Sequence, residues 1–216
     1  MPLRATDFIQ LYVELGEKGF DHIPNLLEVA REKHVDNFPE DKDFEQSWRS
    51  VKGRGLEKLL QFMLRRQLQD LDLELLQAQK VGESLKIDFG EYGAHFPDVD
   101  LVVFQRCRNR VLAILSIKAS LRERATQTAY WRLKLRDYSP TRNVKVFLLT
   151  PNSDDILRNN RQPNKQRAIL ETDIDAIYIV NTPDRSVSDY LYPGIDSRIR
   201  LIDDLVDDLQ ELSQTR

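Results

Sequence analysis

The chain has one cysteine, Cys107, and three histidines, His22, His34 and His95, scattered through 216 residues. A single cysteine forbids an intrachain disulfide, and so sparse a Cys/His set forbids a zinc cluster. The longest aliphatic run, Val111 to Leu115, is far short of the ~20 residues a membrane span needs, and the start, Met1-Pro2-Leu3-Arg4, carries no apolar signal stretch. A soluble, cytoplasmic protein with no membrane partner is expected. An excess of charge of one sign is lacking too. The 32 Lys and Arg stand against 35 Asp and Glu, a net charge of −3, whereas a nucleic-acid partner usually leaves a basic total. What is there is a 41% apolar fraction, about 45% with the eight glycines, which is enough for a packed core. The length suits one domain with a small helical annex.

The total hides a strong asymmetry. From Gln105 to Arg167 there are fifteen Lys and Arg against four Asp and Glu, a net of +11, which leaves −14 for everything else. A solvated charged face and a polyanion-binding face both fit that pattern.

Residues 5–50 read as short amphipathic helices, with Phe8, Leu11, Tyr12 and Leu15 on one face and Ile23, Leu26, Leu27 and Ala30 on another. They form an annex over 1–50, and 51–216 form the core. The pair Gly53 and Gly55 reads as a breaker that opens a long helix from Leu56 to about Gln79. Ser84 to Phe89 alternates like a strand. Asp98 to Gln105 and Arg110 to Lys118 read as two apolar strands joined by a turn at Arg106 to Asn109, a β-hairpin. Leu121 to Asp137 is a basic helix, Asn143 to Thr150 a buried strand, Thr150 to Asn164 a long loop suited to follow a groove, Ala176 to Val180 a further strand, and Leu201 to Leu212 an acidic helix. This order predicts an α/β fold, a mixed central sheet flanked by helices.

The hairpin carries the chemistry. Asp98 and Asp100 leave one face of a strand, Ser116 and Lys118 share a face of its partner, and the turn brings Lys118 close to the acids. Hard carboxylate oxygens at this spacing suit Mg²⁺, which keeps waters that can serve as nucleophile. The lysine would orient that water and offset charge on a phosphate. An ordinary Asp/Lys cross-strand pair would read the same way.

The run after the lysine resembles a base-reading set. In Lys118-Ala119-Ser120-Leu121-Arg122-Glu123-Arg124-Ala125-Thr126-Gln127, Arg can bind guanine with two bonds, Glu can accept from cytosine, and Gln can pair with adenine. A solvent-facing helix turn with weak surface pairs is the alternative. Arg106, Arg108 and Arg110 at the hairpin turn could hold phosphates, or be merely solvated. His95, Tyr130 and Trp131 read as structural, and Cys107 as incidental.

Pro97-Asp98-Val99-Asp100 followed by Ser116-Ile117-Lys118 resembles the PD-(D/E)XK nuclease signature. Lys118 to Arg124 resembles type II restriction endonucleases of the branch that reads CCGG or a CC:GG core. In that branch a small residue, here Ser116, commonly replaces the acid two before the lysine. Some members recover that acid about a dozen residues past the lysine, but Ala129-Tyr130-Trp131-Arg132 holds none. Glu57 is similar to a helical glutamate that stands beside the active site elsewhere in the superfamily, though an ordinary exposed helical Glu looks the same.

The resemblance implies a restriction-endonuclease-like fold and Mg²⁺-dependent cleavage of both strands of a short GC-containing palindrome. Asp100 would bind metal with Asp98 or Glu57, Lys118 would position water, and Arg122, Glu123, Arg124 and Gln127 would read bases. The partners implied are double-stranded DNA, a second copy of the chain as homodimer, and a DNA methyltransferase acting in the same system without physical contact. A repair or recombination nuclease of the same fold, or a catalytically inactive DNA-binding protein, are the alternative functions.

Overall fold

The structure is a computed structural model that describes residues 3–16, 19–39, 43–121, 124–159, 164–180, 187–191 and 197–215. Three helices come first, α1 (Asp7–Glu14), α2 (Ile23–Val35) and α3 (Phe44–Gln69). The Asp43 carboxylate caps α3 by accepting from the Gln46 N–H at 3.0 Å. The helix then runs without a break through Gly53 and Gly55, so the glycine pair does not open it. Gly55 is there for packing: a Cβ at this position would stand 2.5 Å from the Phe8 ring of α1. The 50/51 boundary between annex and core falls inside α3.

The helix also ends earlier than its leucines suggest. Asp70 and Asp72 follow, acids that a helix C-terminus disfavours, and Asp72 turns the backbone with φ 60°. The next leucines, expected to be helical, form strand β1 (Leu73–Leu76). The Ser84–Phe89 alternation shrinks to β2 (Ile87–Asp88), paired only with β3 (Ala94–His95). The expected hairpin is β4 (Leu101–Gln105) and β5 (Arg110–Ile117), and Asn109 supplies the turn with φ 46°. Helix α4 (Arg124–Asp137), β6 (Lys145–Thr150), α5 (Lys165–Asp173), β7 (Ala176–Ile179), β8 (Ile199–Leu201) and α6 (Leu205–Gln214) complete the order.

Six strands form one mixed sheet in the order β1-β4-β5-β6-β7-β8. Both contacts of β4 are antiparallel, and β5 to β8 run parallel. The pleat sends alternate side chains to opposite faces. Val103, Leu115, Ile117, Phe147, Leu149 and Tyr178 pack in one core with α1, α2, α3 and α6. Their neighbours Val102, Ile114, Val146, Leu148 and Ile177 pack in a second core with α4 and α5. Strands covered on both sides need apolar residues at every position, which is why β5 and β6 read as continuous runs. No helix among the described residues is long and apolar enough to cross a membrane.

Candidate active site

The β4–β5 register sets Leu101 opposite Leu115. Asp100, one residue before β4, therefore faces the end of β5. Its Oδ2 accepts from the Ile117 N–H at 2.6 Å and from Lys118 Nζ at 2.8 Å. Lys118 is held in turn, because its own N–H donates to the Leu149 carbonyl at 3.0 Å and carries the ladder onto β6 one residue past β5. Only 7% of Lys118 is exposed, so the ammonium stays on its carboxylate.

Glu57 comes to this pair from the facing helix α3. Burial raises its pKa, the charge of Asp100 raises it further, and Lys58, Lys118 and Arg54 pull the other way. Two carboxylates that feel each other beside a lysine favour a cation that relieves the repulsion. Mg²⁺ is commonly held by one or two carboxylates and completes its shell with water and phosphate oxygens. The donor set present, Asp100 and Glu57, fits such an ion.

The other expected residues are placed differently. Asp98 is exposed and accepts from the Gln127 amide of α4. Among the described residues no group of three or more His, Cys, Asp or Glu could hold a metal. Ser116 is buried and turned to the other face of the sheet, where its hydroxyl meets Thr128 Oγ1 of α4 at 3.0 Å. Gln127 is tied to Asp98. Arg106 and Arg108 lie at the far end of the hairpin, about 20 Å or more along the strand from Asp100 at ~3.3 Å per residue. Arg106 pairs with Asp72 at 3.3 Å, and Arg108 donates to the Thr215 carbonyl at 3.0 Å. Arg110 likewise holds the chain end, donating to the carbonyls of Ser213 and Thr215. Arg108 and Arg110 thus fasten the C-terminal segment, and Arg106 the turn before β1. Arg122 and Glu123 lie outside the described residues. Arg124 is exposed and lines a cleft of about 520 Å³ with Trp48, Arg49, Lys52, Ser120 and Asp154.

The family model of the BsaWI restriction endonuclease type 2 matches residues 73–203, which include Asp100, Lys118 and Arg122 to Arg124. The chain belongs to this family. It is a type II site-specific deoxyribonuclease. The relative named "Putative type II restriction enzyme MjaVIP", from Methanocaldococcus jannaschii, is 33% identical over 189 residues, which cover 74% of this chain and 83% of that one. "Probable type II restriction enzyme HpyAORF263P", from Helicobacter pylori, is 35% identical over 130 residues, 55% of this chain and 67% of that one. The crystal structure of the restriction endonuclease AgeI–DNA complex shares the fold, with a TM-score of 0.54 at 16% identity, covering 96% of this chain and 91% of that one. Glu57 and the three N-terminal helices of this BsaWI-type endonuclease precede the matched span.

Two residues that matter at the cleft were not legible beforehand, Lys52 and Asp154. Lys52 sat inside an apparently ordinary polar helix turn, and Asp154 sat in a loop whose composition signals only a loop.

Proposed function

We propose that this restriction endonuclease uses Mg²⁺ to cut both strands of a short palindrome with a CCGG-like core, as a twofold dimer. The observation that carries the reading is the contact of Asp100 with Lys118 at 2.8 Å beside Glu57. Asp100 commits Oδ2 to the chain's own donors, which fixes the carboxylate. Lys118 Nζ has three donors and rests one on Asp100, so two remain for a phosphate oxygen and an attacking water. Such a preset ammonium meets the charge that grows on the phosphate without reorganising. Asp100 and Glu57 would hold Mg²⁺, which supplies Lewis-acid charge and a more acidic water.

Arg122, Glu123 and Arg124 lie next in the chain after this pair and carry the donors and acceptors that read C·G pairs in the major groove. The resemblance of that run to the CCGG-reading branch supports the core sequence. One catalytic set per chain and two strands to cut favour a dimer whose symmetry matches the palindrome. The test is a plasmid digest with Mg²⁺ and with EDTA, followed by sequencing of the ends. Discrete fragments with a common GC-containing palindrome are expected with Mg²⁺ alone, and Lys118→Ala should bind the same site without cutting it. Random nicks, or cleavage that survives EDTA, would refute the reading.

A further inference from the structure

Between Lys118 and α4 the chain passes through Ala119, Ser120 and Leu121, and this short stretch is held from across the cleft. Asp154 Oδ2 accepts from Ser120 Oγ at 2.9 Å and from the Leu121 N–H at 2.8 Å. The Leu121 carbonyl in turn accepts from the N–H groups of Arg124 at 2.8 Å and Ala125 at 2.9 Å. The first turn of α4 thus hangs on Leu121, and Leu121 hangs on Asp154. Arg122 and Glu123 lie between the two anchored residues.

Asp154 is itself built into place. Asn152 and Asp155 on either side adopt left-handed backbone, φ 47° and 53°, a conformation that Asn and Asp take up more readily than other residues with a side chain. The Thr150 hydroxyl accepts from the Asn152 N–H at 2.9 Å, and Asn152 Oδ1 accepts from the Leu157 N–H at 3.1 Å. These bonds fold residues 150–157 back on themselves. Helix α3 supports them: Lys52 Nζ donates to Ser153 Oγ at 3.4 Å. Burial lowers the Lys52 pKa, Asp154 raises it again, and Arg31 lowers it. A carboxylate in a cleft lined by Arg49, Lys52 and Arg124 would repel a DNA phosphate if it faced outward, and its bonds show it turned inward onto the chain.

We propose that Asp154, backed by Lys52, is a positioning residue that sets Arg124 and the first turn of α4 relative to Lys118 and so determines how well the enzyme discriminates its site. The proposal rests on the reading of Arg122, Glu123 and Arg124 as the base-reading set. Helix α3 would then serve both tasks, with Lys52 at the reading segment and Glu57 at the carboxylate pair.

The experiment measures single-turnover cleavage at the enzyme's own site and at sites altered by one base pair, for wild type, Asp154→Ala, Ser120→Ala and Lys52→Met, with a melting curve for each. Asp154→Ala should slow its own site and not the altered ones, so that their ratio drops by about tenfold or more, the scale of one lost base contact. Ser120→Ala and Lys52→Met should shift the ratio in the same direction by less. A ratio within about twofold of wild type, whether all rates fall together or none does, would overturn the proposal, because a loop staple without a part in reading moves stability alone. If Asp154→Ala does not fold, the other two variants decide by the same ratio. A wild type that cuts with no site preference would refute the base-reading assignment itself, and the proposal with it.

Discussion

At the scale of single residues, Glu57 and Arg167 show how differently two ionisable side chains act. Folding raises the Glu57 pKa through burial and then through Asp100. The folded chain therefore holds that proton more tightly than the unfolded one, and stability is lost as pH rises from the ordinary glutamate range through the raised value. Glu57→Gln should melt above wild type in EDTA at pH 7, with the gap closing below about pH 4, where the carboxyl is protonated in both states. Added Mg²⁺ or Ca²⁺ should stabilise wild type more than the variant, while cleavage by the variant falls by about a hundredfold or more. A variant that melts below wild type in EDTA would separate Glu57 from the Asp100 charge. Arg167 lies inside the basic stretch counted from the sequence, yet it is 1% exposed and bonds to Glu171 and to the carbonyls of Leu157 and Tyr190. Arg167→Ala should cost about 3–5 kcal/mol in a urea titration, the penalty for leaving a buried partner uncompensated, and leave the cleavage rate per folded molecule unchanged. Arg132 and Lys145 are likewise occupied by Asp175, at 2.6 and 3.4 Å. The +11 count therefore overstates the charge that the stretch can present to DNA.

At the scale of elements, helix α3 is where the sequence reading and the structure part most. The two glycines looked alike in the sequence and differ in space. A Cβ at Gly53 meets nothing within 4 Å, whereas at Gly55 it would run into the Phe8 ring, itself buried and stacked on Trp48. Gly53→Ala should therefore stabilise by up to about 1 kcal/mol through helix propensity. Gly55→Ala should destabilise by about 1–3 kcal/mol through overpacking, a loss that Phe8→Leu in the same chain partly relieves. Equal melting shifts for the two alanine variants would contradict the α1–α3 contact. The other differences have physical causes of the same kind. Leu68, Leu71 and Leu75 keep a helical spacing while Leu73 and Leu75 alternate like a strand, so β1 was absorbed into the helix before it. Helix α5 buries only Arg167 and Leu170, and β8 has three residues, too little pattern to read. The β4–β5 hairpin was legible because it is local and its strands are buried on both faces, and that brought Asp100 and Lys118 together on paper. Glu57 was legible only through the resemblance. The bonds from Ser120 and Leu121 to Asp154 span more than thirty residues and join groups with no shared motif, so nothing in the sequence announced them.

At the scale of the whole molecule, the proposed dimer and the proposed Asp100–Glu57 metal-holding pair make a joint prediction about strand cleavage. Each chain would cut one strand, so the two cuts in a palindrome come from two subunits. Lys118→Ala removes the ammonium that meets the phosphate and leaves base reading intact. Such a subunit should still assemble with a wild-type partner and occupy the site. Coexpression of wild type with tagged Lys118→Ala, followed by isolation of the mixed dimer, should then give an enzyme that nicks one strand of a supercoiled plasmid and stops. Nicked circles would accumulate at a rate near that of the first wild-type cut, and linear product would appear only after the nicked complex dissociates and rebinds in the opposite orientation. A single chain that turned to cut both strands in succession would behave otherwise, since its wild-type half would linearise plasmid without a lasting nicked stage. The modest net charge favours the clean outcome, because weak attraction to non-specific DNA limits rebinding along the same molecule. Raising salt should therefore lengthen the nicked stage of the mixed dimer and leave the wild-type product linear.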